Sequence, residues 1–307
     1  MARSRFVRAA EEFRPSPGTA YVLLPVTVFI WAVAVIIVRA LHVDVPPVGL
    51  SWWRWFTAAV VILPFVWRDL IDKAPLIRKH LGYFTLLAAS QMVGGTLMFI
   101  GVTKTTAINA TLVNSTQPAM TAFMVWLIAR HALGRLQGVG LVVALAGITV
   151  MVARADLDVL LNMQFATGDL IVIAGTVSYA LYPVLLQRVP EGVGLTTLLF
   201  LVAGLGSVVL APFAVAEAIL VKPVPATPEA IAAILVLAIL VSLISIFMWN
   251  AGNRAVGPNR ASVFVNLLPA YGAVLAIIFL GEELFTYHII GAAFVVGGIL
   301  MVIRGHR

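Results

Sequence analysis

From residue 19 to residue 304 the chain reads as one apolar run of about twenty residues after another, separated by short polar breaks. A run of that length is what a helix needs to cross a hydrocarbon layer about 30 Å thick. Ten runs are counted, at 19–39, 48–67, 82–102, 106–128, 135–152, 168–187, 194–215, 229–251, 258–280 and 285–304. In lipid every backbone N–H and C=O must be satisfied internally, so each run is expected to be a helix. The expected fold class is an all-α integral membrane protein with ten transmembrane helices. Composition excludes an ordinary soluble domain, with 62% hydrophobic and 11% charged residues and a mean hydropathy of +1.05. The opening "MARSRFVRAAEEFRPSPG" is too polar for the apolar core of a secretory leader, so the first run is expected to stay in the mature chain.

The formal charge of +7 would suit nucleic acid, but the basic residues sit in clusters between apolar runs, not along one face. They mark topology instead. With an even number of spans, one side receives Arg3, Arg5, Arg8, Arg14, Arg68, Lys73, Arg78, Lys79, Arg130, Arg135, Arg188, Arg254, Arg260, Arg304 and Arg307. The other receives Arg39, Lys104, Arg154 and Lys222. The positive-inside rule then puts both termini in the cytoplasm. The chain has no cysteine, which excludes disulfides, thiolate metal sites and a cysteine nucleophile.

Self-comparison finds a duplicated unit. "GVTKTTAINATLVNSTQPAM" aligns with "AGNRAVGPNRASVFVNLLPAY", matching Pro118 with Pro269 and Thr111 with Ser262. "FIWAVAVIIVR" in the first span is similar to "VSYALYPVLLQR" in the sixth, and each unit closes on a Gly-rich span. A five-span unit repeated once is inverted in its second copy, an arrangement found in secondary transporters with a site between the halves. The expected division is a tail (1–18), a first repeat (19–152), an outer loop (153–167), a second repeat (168–304) and a tail (305–307).

This doubled unit, with "NSTQPAM" and "NLLPAYG" in the equivalent fourth helices and "LGEE" after the second, resembles the EamA-type members of the drug/metabolite transporter superfamily. The resemblance covers about residues 20–304, and within it the aromatic-rich sequence is most similar to the YddG-type exporters of aromatic amino acids. It implies ten helices in two inverted halves around a central cavity, and metabolite export across a bacterial inner membrane by alternating access. One departure is visible: where the second copy has Gly281, Glu282 and Glu283, the first has Arg130, His131 and Ala132.

Candidate cavity residues are the polar and aromatic positions deep in the spans. Thr111, Asn114, Ser115 and Pro118 follow i, i+3, i+4, i+7 spacing and so share one face of the fourth span, and Ser262, Asn266 and Pro269 repeat the pattern. A proline frees a carbonyl one turn earlier, so each helix would offer amides and a bare carbonyl at mid-depth. Interhelical contacts of about 0.6 kcal/mol each are the alternative use of such residues. Trp31, Gln91, Gly94, Gly95, Met98, Ser178, Tyr179, Tyr182, Ser242, Ser245 and Trp249 complete the expected lining for an amphipathic ligand. Arg54, in "SWWRWF", lies about 10 Å from the outer end of its span and is expected to snorkel outward as a shielded anchor, a role beside the substrate path being the other reading. Gly134 with Gly138, and Gly291, Gly297 and Gly298, are expected to pack helices closely.

Every Asp and Glu falls in a tail, a loop or a span end, and the histidines lie near interfaces. Ion-driven carriers keep ionisable groups inside the membrane, so uncoupled transport is expected, with Glu282 or His288 as the positions for proton coupling otherwise. No HExxH, GxSxG, Walker or metal-spaced cluster is present, so neither an enzyme nor a cofactor or metal site is expected. The expected partners are a small-molecule substrate and the bilayer, not nucleic acid, with the chain a monomer or weak dimer.

Overall fold

The computed structural model describes residues 16–129, 134–156, 158, 166–186, 188–256 and 264–304, and every regular element among them is helical. α1 is Pro17–Ala40, α2 Pro47–Asp72 and α3 Leu81–Lys104. α4 is split into Ala107–Asn114 and Gln117–Ala129, followed by α5 at Arg135–Val152, α6 at Thr167–Leu186 and α7 at Leu195–Leu220. α8 runs through Pro228–Val236, a π-helical stretch Leu237–Ile244 and Ser245–Val256; α9 passes from a 3-10 turn, Phe264–Leu267, into Leu268–Leu280; α10 is Thr286–Arg304. The ten correspond one to one with the ten apolar runs. A six-residue helix, Ala74–Lys79, lies in the loop after α2 and was not legible as an apolar run.

Six helices are long and apolar enough by themselves to cross a membrane: α1, α2, α3, α6, α7 and α8 over Pro228–Gly252. The others are shorter or broken. The starts follow local chemistry: Ser16, Thr106 and Thr227 cap α1, α4 and α8 by accepting N–H groups of Thr19, Asn109 and Ala230. Proline follows immediately at Pro17 and Pro228, where its missing N–H costs nothing.

The packing scheme has internal symmetry. α1 packs on α8 and α9, and α6 packs in the same way on α3 and α4; α2 meets α8 as α7 meets α3. The pairs α2–α7, α4–α9 and α5–α10 pack on each other. Exchanging helices 1–5 with helices 6–10 maps these pairs onto one another, as two five-helix units about a twofold axis would. With an odd number of helices per unit, the second runs inverted relative to the first.

Lipid tails are as apolar as leucine, so these helices hold together by close packing, and small residues set the closest approaches. A Cβ added to Gly168 would lie 2.7 Å from the Gly101 carbonyl oxygen, and one on Gly175 3.0 Å from that of Gly94, so α3 and α6 pack backbone to backbone. α5 and α10 do the same, but through Gly147, Gly291 and Gly298. This corrects the expectation for the Gly134, Gly138 and Gly297 positions: Gly134 is exposed, and a Cβ on Gly138 or Gly297 would meet nothing among the described residues. The spacing of glycines marks two helix faces, and only one of them is turned to a neighbour.

Candidate functional site

The two helices aligned by sequence, α4 and α9, depart from regular α-helix at corresponding places among the described residues. α4 stops at Asn114 and restarts at Gln117, across a turn at Ser115 and Thr116; α9 begins with the 3-10 turn that carries Asn266. Pro118 and Pro269 stand just inside the segments that follow, where each lacks the N–H that would have tied the break to the preceding turn. Because α4 is broken, Thr111, Asn114, Ser115 and Pro118 do not share one continuous helical face, which corrects the reading from a regular 3.6-residue period. Thr111 is fully buried and donates to the Ala107 and Ile108 carbonyls at 3.0 Å, while its side chain fills the space above Gly272 of α9. Ser115 donates to the Leu112 carbonyl at 2.6 Å. Both hydroxyl protons are thus donated within their own helix. The two asparagines differ: Asn114 is half-buried with its Oδ1 3.5 Å from the Thr176 hydroxyl, and Asn266 has a buried Oδ1 with no partner. Ser262 lies outside the described residues.

The remaining expected lining falls into two groups. Trp31 of α1 donates from Nε1 to Ser245 Oγ at 2.9 Å and its ring leans on Trp249 at 5.0 Å, so these three join α1 to α8. Ser242 is buried and donates to the Leu237 carbonyl five residues back, a bond that the π-helical stretch supplies. On α3 and α6, Tyr179 lies on Gly94 and Gly95, and Ser178 donates to the Ser90 carbonyl at 2.9 Å. Gln91 and Tyr182 are half-buried, while Met98 is buried in the core.

Arg54 does not snorkel. It is 4% exposed, with its guanidinium carbon 4.7 Å from the ring centres of both Trp55 and Phe99. The side chain turns inward from α2 toward α3 and α6, where Gly95 leaves room for it and for the Tyr179 hydroxyl. The sequence reading placed it by depth along the helix; the side chain's direction around the helix decides its environment. Nε and Nη2 are buried without a hydrogen-bond partner, and so is Nε1 of Trp55. Each unpaired buried donor costs about 1–3 kcal/mol, more when charged, and aromatic faces return about 0.5–2 kcal/mol.

A second polar cluster joins the halves where α1, α3 and α9 end and α4, α6 and α10 begin. Gly281 takes the left-handed conformation (φ 66°) that ends α9, and the reversed chain brings the Glu282 carboxylate onto the start of α4. Its oxygens accept the N–H groups of Ala107 at 2.8 Å and Ile108 at 3.1 Å, and Arg39 Nε stands 3.8 Å away. Glu282 is therefore engaged as a helix cap. His288, 2% exposed, accepts the Phe285 N–H at Nδ1, so its ring proton is on Nε2 and is donated to Asn109 Oδ1 at 3.0 Å. The Asn109 amide then points its Nδ2 at both oxygens of Asp169, each at 3.4 Å, and the Thr105 hydroxyl donates to the same carboxylate at 2.5 Å. Asp169 is 1% exposed, so a carboxylate placed by the sequence at a span end is in fact enclosed. Its helical phase was the available signal: Asp169, Val172, Thr176 and Ala180 lie on one buried stripe of α6.

A cavity of about 280 Å³ lies elsewhere. It opens at the α2–α7 contact between Gly49, Trp52, Trp53, Glu217 and Val224, and none of the expected lining residues borders it. Glu217 there accepts the Val48 and Gly49 N–H groups at 3.2 and 2.7 Å, capping α2 from the other half. Glu217→Ala should cost about 1 kcal/mol of stability, read as a lower melting temperature in detergent; an unchanged melt would remove the cap from the account.

The profile of the EamA-like transporter family matches at residues 18–153 and again at 166–304. The "Uncharacterized transporter YyaM" of Bacillus subtilis (strain 168) is 25% identical over 257 residues, 83% of each chain. An "Uncharacterized transporter" of Archaeoglobus fulgidus is 24% identical over 92% of this chain and 96% of its own. A solved crystal structure, 18% identical, superposes with a TM-score of 0.57 over 94% of this chain and 98% of the other, a likeness of fold alone.

Proposed function

The chain belongs to the EamA-like transporter family, and on that premise we propose that it carries aromatic or other hydrophobic amino acids from the cytoplasm across a bacterial inner membrane by uncoupled alternating access. Residues 19–152 and 168–304 are the halves that move against each other, and both termini are cytoplasmic. The observation that carries this reading is the pair α4 and α9, packed on each other, with Asn114 at the break in α4 and Asn266 in the 3-10 turn that opens α9. Broken helices at mid-depth present amide and carbonyl dipoles to a ligand without a formal charge, which suits a zwitterion. Asn266 Oδ1, buried and without a partner, is an acceptor of the kind an ammonium group seeks. Trp31, Tyr179, Tyr182 and Trp249 supply aromatic surface for the side chain.

The test is uptake of labelled phenylalanine, tryptophan, threonine and a quaternary ammonium dye into liposomes holding the pure protein, with and without a pH gradient. Saturable amino-acid uptake indifferent to the gradient is expected, and Asn114→Ala with Asn266→Ala should reduce it about tenfold or more in protein that remains folded. Dye movement alone would sink the reading. A second reading has its own observation: His288 and Asp169, two buried titratable groups of the second half, are joined through Asn109 of the first, and ionisable groups enclosed in this way are what proton-coupled carriers use. Accumulation only under the gradient would select that coupled exporter instead.

A further inference from the structure

We propose that Arg54 is the anchor for a carboxylate on the transported molecule, so that the carrier takes monoanionic or zwitterionic acids and rejects their amides. This deepens the reading above and rests on it for the transport, though not for the binding. The two guanidinium nitrogens without a partner, Nε and Nη2, are not scattered: they form one edge of the planar group, whose parallel N–H bonds match the two oxygens of a carboxylate. The rings of Trp55 and Phe99 lie 4.7 Å from the guanidinium carbon and balance part of the charge, but they accept neither edge bond in the structure. Among the described residues no Asp or Glu pairs with Arg54.

Two further polar groups stand near the guanidinium, one a donor and one able both to donate and to accept. The Trp55 indole N–H is also buried and unpaired, and the Tyr179 hydroxyl converges on Gly95 with the guanidinium. A Cβ on Gly95 would lie 2.9 Å from the Tyr179 oxygen and 3.2 Å from Arg54 Nη2, so only glycine leaves that approach open. The three unpaired donors, Arg54 Nε and Nη2 and Trp55 Nε1, call for a ligand group rich in acceptors, and an ionised carboxylate is one. A phosphate dianion is disfavoured because a single cation is present: every other Lys and Arg among the described residues lies at a helix end or in a loop. The arginine sits on α2 and the tyrosine on α6, so the ligand would bridge one half to the other.

The experiment measures binding to the purified full-length protein in detergent, by thermal shift and by competition, with matched pairs: phenylalanine and phenylalaninamide, 3-phenylpropionate and its amide, acetate and acetamide, with phenyl phosphate as the other oxyanion. Each acid is expected to bind at least about tenfold tighter than its amide, the difference one charge-assisted pair makes. Arg54→Gln should bring the ratio to about one, Arg54→Lys should retain part of it, and Gly95→Ala should weaken the acids more than the amides. Equal binding of acids and amides to the native protein overturns the proposal whether or not any variant folds, as does failure of every acid to bind at about 10 mM. A folded Arg54→Gln that keeps the preference, or tighter binding of phenyl phosphate than of the carboxylates, overturns it too. Preference for 3-phenylpropionate without phenylalanine uptake would leave the carboxylate site standing and the amino-acid reading fallen; equal transport of phenylalanine and its amide would do the reverse.

Discussion

Gly298→Leu should abolish the folded protein. A Cβ at that position would lie 2.5 Å from the Gly140 carbonyl oxygen and 2.6 Å from the Ala144 nitrogen, both backbone atoms of α5 that cannot rotate aside. Overpacking against mobile side chains costs about 1–3 kcal/mol; here a whole leucine must push two helices apart, so a loss of about 3 kcal/mol or more is expected. Gly297→Leu, one residue earlier, is the control, because a Cβ there meets nothing among the described residues and a change within about 0.5 kcal/mol is expected. The measurement is the monodisperse peak and melting temperature of the two variants in detergent. Equal yield and melting for both would show that α5 and α10 do not cross as described.

The second large effect is at Asn109. Asn109→Leu removes the acceptor of the His288 Nε2 proton and the amide that faces both oxygens of Asp169, leaving an imidazole and a carboxylate underpaired in a closed space. Breaking a buried charged network on one side costs about 2–4 kcal/mol. The double variant Asn109→Leu with Asp169→Asn should recover part of the loss, since a neutral amide is cheaper to leave short of partners than a carboxylate. Thermal melting of native, single and double variants checks this. A single variant that melts with the native protein, or a double variant worse than the sum of both changes, would rule out the network as a stabilising unit. The cluster draws Asn109 and Thr105 from one half and Asp169 and His288 from the other, so its integrity also bears on how firmly the halves close at that end.

Much of this molecule was legible in advance. The ten helices follow from the length of each apolar run, and the relation between α4 and α9 follows from the matched prolines and polar residues around them. The turn at Ser115 and Thr116 was not, because a proline says that a hydrogen bond is lost but not whether the helix kinks or stops. The hydroxyls of Thr111 and Ser115, two of the expected lining residues, bond their own backbone, a choice open to any hydroxyl on a helix and invisible in a one-letter code. Asp169 and His288 were read by their distance from a span end, whereas burial depends on which side of the helix they face and on what stands there.

The sequence alone determined that the chain must be helical and must live in a membrane, and that it is a repeated five-span unit. These properties depend on run length, composition and periodicity, which are local and survive any packing. Tertiary structure decided the direction of each polar side chain. It turned Arg54 inward between two aromatic rings, used Glu282 and Glu217 as caps across the two halves, and selected Gly147, Gly291 and Gly298 over Gly134, Gly138 and Gly297 for close contact. In a bilayer the apolar surroundings do not distinguish lipid from neighbouring helix, so the sequence pattern that orients a soluble helix is weak here, and contact between specific surfaces makes the choice.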